Sequence, residues 1–72
     1  MPIKNVKIEQ MISSILVIKN RITENIETLG AIKIKEGNPQ NVGDFRTAMT
    51  KMAEANEALA VAKTHLNNLL SR

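Results

Sequence analysis

Apolar residues recur at fixed intervals along the first half of the chain. Ile8, Ile15, Ile22 and Leu29 stand seven apart, and Met11, Ile18 and Ile32 each follow one of them by three. Such a pattern is an a/d heptad, in which a stripe repeating about every 3.5 residues keeps facing a neighbouring helix. Asn25 breaks the second series, and a polar residue at such a position commonly fixes register at some cost in stability. Ile12 and Ile26 widen the stripe on one flank, while Leu16 and Val17 lie further round. The first helix is therefore apolar over more surface than one partner covers.

Gly30 interrupts this pattern, and a glycine inside a helix costs about 1 kcal/mol relative to alanine, so it marks a point where the helix is prone to fray. The alternation through Ala31, Ile32, Lys33, Ile34 and Lys35 has the period of a strand, but Ile32 keeps the heptad, which favours helix. Gly37, Asn38 and Pro39 then supply a stop, combining a residue suited to a left-handed cap with one that cannot continue a helix. Asn41 reads as the next N-cap, with Asp44 near the positive end of the second helix dipole.

The second half carries its own heptad, with Phe45, Met52, Leu59 and Leu66 at one position and Ala48, Ala55, Ala62 and Leu69 three later. Alanines repeated at one core position let two backbones approach closely. Folding the chain about Gly37 sets Leu29 against Phe45, Ile22 against Met52, Ile15 against Leu59 and Ile8 against Leu66. Two independently read series fall into register about one turn. The expected fold is all-α, a single antiparallel two-helix hairpin of coiled-coil character. Its helices cover about residues 6–36 and 42–71, joined by a turn at 37–41.

Length adds a constraint. A domain of 72 residues builds only a small core, and natural chains this short usually recruit a staple. Cysteine is absent and His65 is the only histidine, so disulfides and a closed zinc site are excluded. Homo-oligomerisation is the staple left to complete the core, and the surplus apolar face of Ile12, Leu16, Val17 and Ile26 is where it is expected. The chain is 43% hydrophobic but 1% aromatic, a mixture that suits close helix packing better than a β-sandwich.

Ten basic residues against seven acidic ones leave a net charge of +3, with the charges interspersed. That favours anionic partners without making a nucleic-acid-binding tail. Neither a recognition helix nor a strongly basic face is visible, so duplex DNA is not an expected partner. The longest apolar run within the first helix, Ile15 to Ile18, is too short for a signal core or a membrane span. No membrane partner is expected, and the expected location is the cytoplasm, that of a bacterial host if the chain is phage-encoded.

Catalytic chemistry is poorly provided for, and no enzymatic activity, metal or cofactor is expected. His65 is a lone residue at the seam margin, and Ser13, Ser14 and Ser71 have no nucleophile-elbow context. Glu24 with Glu27 and Glu54 with Glu57 have the spacing of solvated carboxylates on a helix surface. Basic residues say more. The hairpin register brings Arg21 towards Lys51, and Lys33 and Lys35 towards Arg46 at the turn end. Either group is a candidate phosphate site, and Arg46 lies in the first turn of its helix, where free backbone N–H groups assist anion binding. The competing reading pairs these cations with Glu24, Glu54 or Asp44 as ordinary surface charges.

The order of Asn20-Arg21-Ile22, Glu27, Leu29-Gly30-Ala31, Asp44, Arg46, Lys51, Leu59-Ala60 and Lys63 resembles the helical-hairpin core of the phage anti-CBASS proteins. Those small sponges sequester cyclic oligonucleotide second messengers. The resemblance implies a multi-subunit helical assembly that binds cyclic di- or trinucleotides between subunits without cleaving them, and so denies the signal to a host antiphage effector. Arg21, Lys33, Arg46 and Lys51 would then contact phosphates. Thr47 follows Arg46 where that family usually has an aromatic residue, so stacking on a base would fall to Phe45, arginine planes or aliphatic side chains.

The chain also resembles type III secretion needle subunits in its length, its Pro-containing turn at Gly37-Asn38-Pro39-Gln40 and its long second helix. That resemblance implies a subunit that polymerises. A small adaptor docking on a protein partner through the surplus apolar face is a third reading of the same residues.

Overall fold

The computed structural model describes residues 5–72. Helix α1 runs Val6–Glu36, a short 3-10 turn follows at Pro39–Asn41, and helix α2 runs Val42–Ser71. The two helices pack along each other as an antiparallel hairpin whose Cα trace extends 56 × 15 × 12 Å.

Local chemistry accounts for each boundary. The Asn5 side chain accepts a hydrogen bond from the Lys7 N–H at 2.9 Å, and Glu9 adds negative charge in the first turn of α1. The helix then passes through Gly30 without a break, so the alternating Ala31–Lys35 segment is helical. Lys33 and Lys35 sit in the last turn, where positive charge opposes the dipole. Gly37 closes α1 at φ 62°, and its N–H reaches the Lys33 carbonyl. This left-handed conformation is what glycine supplies without strain.

One capping expectation is corrected. Asn41 occupies the N-cap position of α2 but caps nothing with its side chain, which instead donates to the Glu36 carboxylate. The reason is the intervening 3-10 turn. Asn38 caps that turn by accepting from the Gln40 N–H at 3.0 Å, and the Val42 N–H is taken by the Pro39 carbonyl. Helix α2 thus continues a turn that is already closed.

The seam differs from the expected one in a single respect. Half-buried positions on α1 are Ile8, Ile15, Ile22 and Leu29 together with the residues four later, Ile12, Lys19, Ile26 and Lys33, and Gly30 beside Leu29. Met11, Ile18 and Ile32, expected opposite α2, are 52%, 46% and 48% exposed. Helix α2 matches this choice. Phe45, Met52, Leu59 and Leu66 are half-buried with Met49, Asn56, Lys63 and Leu70, while Ala48, Ala55 and Ala62 are exposed and only Leu69 of their line is half-buried. On α2 side-chain size favours this side, since Met49 and Leu70 with the stem of Lys63 remove more apolar area from water than the methyl groups of Ala48, Ala55 and Ala62. Lys19, Lys33 and Lys63 fit such a seam by laying their aliphatic stems along it and keeping the ammonium in water. Ile12 and Ile26, expected with Leu16 and Val17 on the surplus apolar face, therefore lie between the helices, whereas Leu16 and Val17 remain exposed.

Three points along the hairpin show its register, and a hydrogen-bonded bridge at the middle one holds it. Leu29 and Phe45 line one shallow groove, and Ile15 and Leu66 line another. Between them, Asn56 donates through Nδ2 to the Lys19 carbonyl at 3.3 Å and to Thr23 Oγ1 at 3.0 Å. Thr23 Oγ1 itself donates to the Lys19 carbonyl, which leaves the hydroxyl oxygen oriented to accept from Asn56. Slipping the helices by one residue would break this bridge and rotate the apolar lines apart.

Among the described residues none is fully buried. A Cβ added at Gly30 meets nothing within 4 Å, so Gly30→Ala is expected to raise stability by about 1 kcal/mol. Gly37→Ala, at a left-handed position, is expected to lower it by roughly 1–2 kcal/mol. Thermal unfolding followed by circular dichroism at one protein concentration measures both.

Candidate functional site

Helix geometry decides where the four candidate cations lie. The two seam lines differ in what surrounds them. The line of Ile8, Ile15, Ile22 and Leu29 is bordered on its outer side by Met11, Ile18, Asn25 and Ile32, each three residues after one member. The line of Phe45, Met52, Leu59 and Leu66 is bordered in the same way by Ala48, Ala55, Ala62 and Leu69. In an antiparallel pair of right-handed helices these outer borders fall on the same side of the hairpin. The grooves agree: one holds Ala48 beside Leu29 and Phe45, and the other holds Met11 beside Ile15 and Leu66. One long side of the hairpin is thus an apolar face, which we call the open face. The opposite side carries Lys19, Lys33, Asn56 and Lys63 and is mixed in character.

Arg21 lies one step beyond the open face on α1, next to Ile18 and Asn25 along the helix surface, and Lys51 lies one step beyond it on α2, next to Ala48 and Ala55. They rim the open face from its two edges. Lys33 is half-buried in the seam line of the mixed side, and Arg46, which follows Phe45, turns to that side as well. The register thus sorts the four into two pairs on two sides.

Their electrostatic state is simple. Among the described residues the one ion pair is Lys51 Nζ with Glu54 at 3.3 Å, between side chains that are 71% and 57% exposed. Arg21, Lys33 and Arg46 make no ion pair. An exposed pair between residues three apart contributes little and gives way readily to a better anion. Neither groove includes any of the four cations. One, of about 280 Å³, is lined by Leu29, Asn41, Asp44, Phe45 and Ala48. The other, of about 580 Å³, is lined by Lys7, Gln10, Met11, Ser14, Ile15 and Leu66. Lys7 was not singled out by sequence and Ser14 was weighed only as a nucleophile, because a lysine and a serine among interspersed charges become notable as groove residues only once a groove is seen beside them.

Chemically, this surface can bind and pack. The described residues contain no group of three or more His, Asp or Glu side chains able to hold a metal ion, and no helix long and apolar enough to cross a membrane. The chain matches no family model, no curated protein and no solved structure. Because Lys51 and Arg46 support nothing else in the fold, Lys51→Ala and Arg46→Ala are each expected to change stability by less than about 0.5 kcal/mol. Chemical denaturation of the two variants beside the parent protein measures this.

Proposed function

We propose that the chain is a non-enzymatic subunit that works as an oligomer and sequesters an anionic ligand, a cyclic oligonucleotide, at the boundaries between subunits. The observation that carries this reading is the open face. Two long helices leave a continuous apolar side in water, with Arg21 and Lys51 along its two edges. A subunit that covers this face brings its neighbour's rim cations together with its own. Each phosphate of a cyclic nucleotide needs such a charge when it leaves water. Lys33 and Arg46 offer a second pair of cations near the turn, on the other side.

Calorimetric titration with a panel of cyclic di- and trinucleotides tests the ligand. Binding is expected, with Lys51→Ala or Arg21→Ala weakening it roughly tenfold, as for loss of one charge-assisted contact; Arg46→Ala does so only where the second pair of cations near the turn also holds the ligand. Absence of binding by every member at high micromolar concentration overturns the sponge reading.

One feature favours a structural subunit of needle type as the second reading: the open face runs the length of both helices, as packing in a polymer requires. Concentrated protein would then grow into open filaments under negative-stain microscopy, and a closed particle of fixed mass argues against it.

A further inference from the structure

We infer that the open face docks a second copy of this chain, forming a four-helix bundle in which the large side chains of α1 meet the alanine line of α2. The inference rests on the oligomer reading above and names the surface and its occupant. The alternative surface is the side that carries Leu16 and the back of α1 at Val17.

Four arguments select the open face and a like partner. The first is composition. Across the four residue lines of the open face Asn25 is the one polar position, whereas the mixed side interleaves Lys19, Thr23, Lys33, Asn56 and Lys63 with its apolar residues. The second is shape. Met11, Ile18 and Ile32 stand out from one edge, while Ala48, Ala55 and Ala62 leave a shallow trough along the other. A twofold rotation lays the ridge of each copy into the trough of its partner, so the surface is complementary to itself. The third is repeat. A face that renews its apolar residues every seven positions over both helices fits a partner with the same period and length, and this hairpin has both. The fourth is area. The face from Ile8 to Ile32 is about 36 Å long at about 1.5 Å per residue on a hairpin 15 Å wide, on the order of 540 Å² in flat projection per copy, near the lower end of what specific dimers bury on each partner.

The bundle also supplies what the hairpin lacks. Ile15, Ile22, Met52 and Leu59 are only half-buried in one copy, and a second copy turns this shared line into a core with neighbours on both sides.

Light scattering and sedimentation equilibrium on the full chain, whose monomer mass is 8.0 kDa, test the inference together with circular dichroism. The parent protein is expected to be an oligomer built from dimers. Ile18→Glu is expected to reduce it to the monomer mass whether or not the monomer stays helical. Ala55→Leu keeps an apolar residue and meets only solvent in a single hairpin, but overfills the trough in the bundle. It is expected to raise the dissociation constant about tenfold or more while the assembled fraction stays helical. Leu16→Glu and Val17→Glu are expected to leave the mass unchanged. A folded monomeric parent overturns the oligomer reading and this inference together. An oligomeric parent that tolerates Ile18→Glu and Ala55→Leu, or dissociates with Leu16→Glu or Val17→Glu instead, overturns this inference alone.

Discussion

A helix with one neighbour covers two of its residue lines, and the helices of this hairpin each carry two lines that are wholly or largely apolar and a third that is half apolar. The choice of seam and the exposed apolar side follow from that mismatch. The central lines, Ile8 to Leu29 on α1 and Phe45 to Leu66 on α2, have to be in the seam, and the chain then takes its second line from one side or the other. It takes the side with the bulkier side chains, although lysines and an asparagine come with them. The side with Met11, Ile18, Ile32 and the alanines stays in water.

The polar residues in the chosen seam make that choice specific. Asn56 bridges to the Lys19 carbonyl and the Thr23 hydroxyl near the middle of the hairpin, where a shift of register would leave a polar amide against aliphatic side chains. Purely apolar lines tolerate slippage, because one isoleucine replaces another with small change in packing. The asparagine removes that degeneracy. A hairpin pinned in this way presents the same open face in every copy, and a symmetric assembly requires identical faces.

Much of this was legible in the sequence. The turn was readable because Gly37, Asn38 and Pro39 each have a strong and distinct backbone preference. The central lines were readable because the two halves are in phase about that turn. The choice of second line was not. On both helices the residues three after and four after the central line include apolar members, so periodicity alone admits either side. Deciding between Ala48, Ala55 and Ala62 and the set of Met49, Asn56 and Lys63 requires weighing alanine's small area against the long stem of a lysine. Sequence counting by residue type ranks these in the wrong order, because it scores alanine as apolar and lysine as charged. The same shift changed the reading of the candidate site. Arg21 and Lys51 remained on one side of the molecule, but as two edges of an apolar face, and Lys33 moved into the seam line.

This placement ties assembly to charge. A cation at the rim of an apolar face is solvated in the single hairpin and has little effect on its stability, as the exposed Lys51–Glu54 pair illustrates. If a second copy covers the face, the same cation stands at a boundary where the dielectric is lower and where the neighbour's Arg21 or Lys51 stands nearby. Like charges brought together in that way repel unless an anion joins them. An anionic ligand would therefore stabilise the assembly and be held by it, with each equilibrium strengthening the other by the same free energy.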